Sequence, residues 1–325
     1  MAVIEFIGLL GVIVFAAYLL SRGAETLAVR WGFNIVGSIV LALLTTLPEY
    51  AFVFWASMKG QYQMAIGSAI GSCTLLITLG YGLVIVLAMS RFSKHPVSLI
   101  KLSKATRIDA VYLLVTAIIA FAFIAGDNKL TFWEGIILTG VLLGYVFQVF
   151  KSSTGSDQPE KKELSRKQMI RAIVDLLIGG ALVFVCSEPF VDSMIHLASA
   201  LHVSPVVIAV VLGPLASEMP EKLTAYLVVL KDGRNAELAV CNFLGSKVNH
   251  NSLLLAVMPF VAHAKGHDAV TNLMSPMFVA MTVITVFVSG VLIKGELQRW
   301  KGFSLIVAYV GAMIMAVYTQ PAIGP

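Results

Sequence analysis

The feature that most constrains this chain is a recurrence of apolar stretches, each about 20 residues long, parted by short polar turns. An α-helix rises 1.5 Å per residue, so a stretch of that length matches the hydrocarbon layer of a bilayer. Lipid offers backbone N–H and C=O groups nothing to bond, so such stretches close their hydrogen bonds within helices. Ten spans are expected, at 3–20, 33–58, 62–89, 109–126, 131–150, 168–187, 203–230, 236–262, 271–293 and 301–320. The first lacks a basic leader and a small-residue cleavage site, and reads as a span and not as a signal peptide. Composition agrees. The chain is 58% hydrophobic and 13% charged, about half the charged fraction of a soluble domain.

Basic residues give the spans an orientation. Of the 23 Lys and Arg residues, eighteen fall in loops after the first, third, fifth, seventh and ninth spans. Only Lys59, Lys129 and Lys265 lie on the other side, and Lys222 and Lys247 fall inside spans. The positive-inside rule then places the basic loops in the cytoplasm and both termini outside, in a multi-pass protein of the cell (plasma) membrane. The same rule accounts for the net charge of +5 without nucleic acid as a partner. The longest polar stretch, 151–170, is a short cytoplasmic linker between two five-helix halves, 1–150 and 171–325. Cys73, Cys186 and Cys241 stand apart in apolar surroundings and read as inert core residues.

The halves repeat each other. Segment 43–76 carries Thr45-Thr46-Leu47-Pro48-Glu49, and segment 214–250 carries Ser217-Glu218-Met219-Pro220-Glu221. Lys59 and Lys231 each follow ten residues after the Pro-Glu glutamate, and Gly71-Ser72 aligns with Gly245-Ser246. Five spans is an odd number, so the copies enter the membrane from opposite sides. The fold class expected is therefore an all-α membrane protein of two inverted five-helix repeats, an architecture of secondary transporters.

Each Pro-Glu pair also has a chemical reading. Proline has no N–H and crowds the carbonyl four residues back, so Pro48 and Pro220 are expected to break their helices and free carbonyls. Freed carbonyls are costly in lipid unless a cation or another group satisfies them. Glu49 and Glu221 lie one turn away, and Thr45, Thr46 and Ser217 add hydroxyls. Two carboxylates with neutral oxygens form the ligand set of calcium and other hard cations. Two carboxylates placed near mid-span mark a functional site. The Gly-Ser stretches serve close helix packing or supply hydroxyls to the ion site.

At these residues the sequence resembles the calcium/cation antiporter superfamily, which includes the sodium/calcium exchangers. Its repeats read G-T-S-x-P-E and, downstream, G-N-x-x-G-S-N-x-x-N. The resemblance implies Glu49 and Glu221 as shared calcium ligands, Thr45 and Ser217 as oxygen donors, and Ser72 and Ser246 as supporting sodium ligands. It also implies no cofactor, with calcium and sodium ions (or protons) as the transported partners, and alternating access by the first and sixth spans.

This chain departs from the pattern. The Asn after Gly-Ser is Cys73 in one copy and Lys247 in the other, and the later polar position is Leu76 and His250. Thr46 has Glu218, a third carboxylate, as its counterpart. Lys247 either pairs with Glu218 or Glu237 or holds the place of a monovalent cation. His250 with Glu218 offers a proton relay, or is a satisfied core histidine. Lys222 directly follows Glu221 and is expected to face elsewhere, and Asp175, Glu188, Asp192 and His196 are given no role. The leading expectation is calcium export against sodium, and the alternative is divalent cation/proton exchange. A channel or non-transporting homologue is remoter. An intramembrane hydrolase lacks support, because neither H-E-x-x-H nor G-x-S-x-G occurs. A monomer is the working expectation.

Overall fold

The computed structural model describes residues 2–31, 43–153 and 164–319. Among the described residues seven stretches are long and apolar enough to cross a membrane, including Ala2–Leu27, Tyr62–Ala88 and Arg166–Leu201, so the chain is a multi-pass membrane protein. In the first half, α1 (Ala2–Trp31) and α2 (Leu47–Met58) precede α3 (Tyr62–Leu75). A π-helical turn at Leu76–Gly80 joins α3 to α4 (Tyr81–Ala88), and β1 (Ile100–Lys101), α5 (Lys104–Asp127), β2 (Lys129–Thr131) and α6 (Phe132–Ser153) follow. The second half repeats that order. It runs α7 (Arg166–Leu201), α8 (Pro205–Lys231), α9 (Ala236–Asn249), a π turn at His250–Leu254, and α10 (Leu255–Ala264). It then continues with β3 (Ala269–Thr271), α11 (Pro276–Lys294), β4 (Glu296–Leu297) and α12 (Arg299–Thr319). The strands pair across the halves, β1 with β4 and β2 with β3, both antiparallel.

Local chemistry sets many of the ends. Ser103, Ser204 and Ser275 each accept a backbone N–H at a helix start, and Pro205 and Pro276 follow two of these caps, where a missing N–H costs no bond. Ser165 and Gln168 close a reciprocal capping box on α7. At the other end of α5, Asn128 takes the left-handed conformation (φ 58°) and turns the chain into β2.

Three expectations need correction. The span expected at 168–187 is the front of a 36-residue helix that runs through Pro189. Glu188, Asp192 and His196 therefore lie on helix α7 and not in a loop. The first span likewise runs on to Trp31. Both Pro-Glu motifs were expected to break their helices, and only the first does: Thr46 is a turn, whereas α8 continues from Pro205 through Glu221 to Lys231. Neighbouring groups in a bundle can carry a proline through a membrane helix, and α8 runs on past this one. Of the expected span 33–58, residues 33–42 lie outside the described residues.

Glycines let the helices close on one another. A Cβ on Gly71 would stand 2.2 Å from the Val210 carbonyl oxygen, so α3 meets α8 backbone to backbone. Between α1 and α7, Gly23 faces the Ala172 carbonyl and Gly179 faces that of Ala16. Arg22 then bonds Asp175 through both carboxylate oxygens, at 2.8 and 2.7 Å. Large apolar side chains such as Leu177, Phe147 and Val307 point outward, as a lipid-facing surface requires.

A buried carboxylate and ammonium cluster as the candidate cation site

Glu49 sits in the first turn of α2, only 3% exposed, where the helix restarts after Thr46. Pro48, near the start of the restarted helix, loses no hydrogen bond there. Thr45 and Thr46 are buried beside it. From α8, the Ser217 hydroxyl reaches the Glu49 carboxylate. Below them a narrow cavity of about 10 Å³ is lined by residues including Ile13, Glu49, Ser68, Ser187 and Ser217. That is room for one water. The cavity touches α1 and α7 as well as α2, α3 and α8, so the packed α1–α7 pair forms one of its walls.

The second copy of the motif is crowded with charge. Glu218, 2% exposed, has Lys247 Nζ 3.4 Å from Oε1 and Lys222 Nζ 3.7 Å from Oε2. The expectation that Lys222 faces elsewhere is overturned. Position 222 lies four residues after 218, so the two side chains share one face of α8 even though Lys222 is adjacent to Glu221. Lys247 takes Glu218 rather than Glu237, which instead accepts from the Ser103 N–H and the Thr106 hydroxyl. Glu221 is buried one turn farther along α8 and accepts from the Asn242 amide at 2.8 Å.

His250 begins the π turn and is fully enclosed. Its Nδ1 lies 2.6 Å from the Ser246 carbonyl oxygen, which can only accept, so Nδ1 carries a hydrogen. Its Nε2 faces Glu218 Oε1 at 3.3 Å. In the neutral ring Nε2 is then an acceptor opposed to a carboxylate, and such a pair needs a proton or a cation between its members. Ligand atoms of Glu49, Glu218 and His250 all lie within 4.8 Å of one another.

The structure therefore brings Glu49, Ser217, Glu218, Lys247 and His250 together, with Lys222 as an unforeseen member. Ser72 is buried with its hydroxyl unpartnered. Ser246 is buried as well, and its carbonyl serves His250. Several neighbours escaped the sequence reading: Asn242; the Tyr50 hydroxyl bonded to Asn249; Asn251, which takes the Cys73 thiol at 3.7 Å; and Glu25 of α1, bonded to Thr224 on α8. Asn242 occupies the asparagine position of the G-N-x-x-G-S pattern, and no motif marks the others. Only the helical spacing of Glu221 and Thr224 pointed to a polar face continuing along α8.

Residues 1–151 and 171–318 match the sodium/calcium exchanger protein family. An uncharacterized membrane protein of Methanocaldococcus jannaschii is 25% identical over 293 residues, 90% of each chain. The putative antiporter CaxA of Alkalimonas amylolytica is 25% identical over 89% of this chain and 90% of its own. In fold, the chain is similar to the H+/Ca2+ exchanger CAX, with a TM-score of 0.79 at 19% identity, covering 98% of this chain and 86% of that one. It is also similar to the sodium-calcium exchanger NCX_Mj, with a TM-score of 0.66 at 23% identity, covering 96% and 98%. The chain is a membrane antiporter of the sodium/calcium exchanger family, within the calcium/cation antiporter superfamily.

Proposed function

We propose that this antiporter exports calcium, or another divalent cation, in exchange for protons, with both ions using the buried cluster of Glu49, Glu218, Glu221 and His250. One observation carries the choice of coupling ion: His250 Nε2 and Glu218 Oε1 oppose each other as acceptors at 3.3 Å, with Glu49 in reach. A proton satisfies that pair in one state and a divalent cation with Glu49 satisfies it in the other. Glu49 and Glu221 act as the ligand carboxylates of the two repeats, with Thr45, Thr46 and Ser217 adding oxygens. The recurrence of one element order in both halves, with strands paired between them, supports ten helices in two inverted repeats. The basic loops support a cytoplasmic linker and external termini.

The reading that sodium drives transport has its own support. The hydroxyls of Ser72 and Thr74 are buried and without hydrogen-bond partners, and neutral oxygens of this kind suit sodium. Calcium uptake into proteoliposomes separates the two. An imposed pH gradient with choline replacing sodium should drive uptake, and uptake that survives only with sodium would reverse the assignment. Loss of wild-type uptake under both gradients would overturn the antiport proposal itself.

A further inference from the structure

We infer that the Lys247 ammonium is a built-in monovalent cation: it fills one coupling-ion position of the site and thereby excludes sodium from it. The inference rests on the proposed cation site and concerns how many free ions that site takes, and of which kind. Lys247 follows the Gly-Ser step of the second repeat, where the first repeat has the uncharged Cys73. Its side chain is 0% exposed and ends 3.4 Å from Glu218 Oε1, the oxygen that His250 also faces. It therefore lies among the site's ligands and is not directed toward a membrane surface.

An ammonium group is a compact point charge with three N–H donors and no acceptor. Toward a carboxylate it presents the same sign and magnitude of charge as a monovalent metal ion. It differs in being covalently held, so its occupancy does not depend on the salt on either side of the membrane. Near its other oxygen Glu218 has a second ammonium, Lys222 Nζ at 3.7 Å. A sodium ion entering between Glu218 and the Gly-Ser step would meet two like charges in a buried setting, where screening by salt is weak. The first repeat carries no such charge. Cys73 there turns its thiol to Asn251, and Ser72 and Thr74 keep their hydroxyls unpartnered. The tethered cation thus belongs to one repeat only.

The test counts sodium directly. Purified full-length protein is equilibrated with radiolabelled sodium by dialysis, beside calcium uptake in proteoliposomes. The wild type is expected to show no saturable sodium site and to transport equally well with choline in place of sodium. Lys247→Asn should gain about one saturable sodium per chain, displaced by calcium, and Lys247→Arg, which keeps the charge, should gain none. A Lys247→Asn protein that melts as the wild type does and binds no sodium overturns the inference. So does saturable sodium binding by the wild type, which needs no variant to fold. Lys247→Gln serves as the second neutral variant, with the same expectation as Lys247→Asn. Wild-type vesicles that take up no calcium under any gradient would sink the proposed transport activity, and the binding count would still decide the role of Lys247.

Discussion

Two Pro-Glu helices, α2 and α8, carry the same motif and hold it by different means. In α2 the helix breaks at Thr46, one carboxylate follows, and hydroxyl groups surround it. In α8 the helix is continuous, and the motif holds two carboxylates and a lysine, with a second lysine and a histidine arriving from α9 and the π turn. The first arrangement gives Glu49 no ion pair among the described residues. The second neutralises Glu218 internally and leaves Glu221 on a neutral amide. The difference lies in the side chains at −3, +1 and after Gly-Ser, which give the second motif internal ion pairs.

Substitutions in the two helices should therefore fail differently. On the proposed reading Glu49→Gln reduces calcium uptake by about 10–100-fold while leaving the fold intact, since it removes a ligand and no charged partner. Uptake within a few-fold of wild type would break the assignment of Glu49. Lys222→Met should act on stability instead. Removing one member of a buried ion pair costs about 3–5 kcal/mol, so the melting temperature should fall well below that of the wild type. Glu218→Gln should cost at least as much, because it strips the carboxylate from buried Lys247 as well, and a double-mutant cycle with Lys222→Met that shows no coupling would show that the 218–222 pair does not hold α8 together.

A smaller effect is expected where α3 meets α8. Gly71→Ala forces a methyl group onto the Val210 carbonyl, and overpacking of this kind costs about 1–3 kcal/mol. Gly80→Ala, whose Cβ would meet nothing nearer than 3.4 Å, should melt close to the wild type. Equal melting of the two variants would dismiss the close approach. The ends of the two motif helices give the least. Lys59 ends α2 between Glu188 and Asp192 at 3.2 and 3.0 Å, on a half-exposed surface, so Lys59→Gln should cost about 0–1 kcal/mol. After α8, the Arg234 guanidinium holds the Asp232 carboxyl down at about 2. Its pairing is therefore present above the usual carboxylate range and is lost only as pH falls through about 2. Between pH 5 and 8 the difference in melting between Asp232→Asn and the wild type should therefore be small and constant.

Hydropathy made the membrane class legible because lipid leaves a chain few options, and the two Pro-Glu motifs lie on the helices that carry the proposed site. What misled was reasoning by adjacency along the chain. Lys222 was referred to Glu221, its neighbour, when helical spacing already paired it with Glu218. Glu188, Asp192 and His196 looked like a loop because polar residues interrupt the apolar run near Pro189, yet packing against α1 and α2 carries α7 past them. Pro220 shows the same override, with local chemistry favouring a break and the surrounding bundle holding the helix. The Tyr50–Asn249 and Glu221–Asn242 bonds join separate helices, and apart from Asn242, which falls at the asparagine of the G-N-x-x-G-S pattern, nothing in either segment alone marks them.

The two π turns, Leu76–Gly80 and His250–Leu254, have a consequence of their own. Each takes up one residue more than an α-turn, so deleting one residue within it would restore α-helical geometry and rotate the following helix by about 100°. Such a deletion should swing the lining of α4 or α10 away from the centre while hydropathy stayed the same. The residue that opens each turn is buried, Leu76 in one half and His250 in the other. Each turn is thus a display position, at which a single substitution changes the chemistry shown to the ion while the scaffold stays in register.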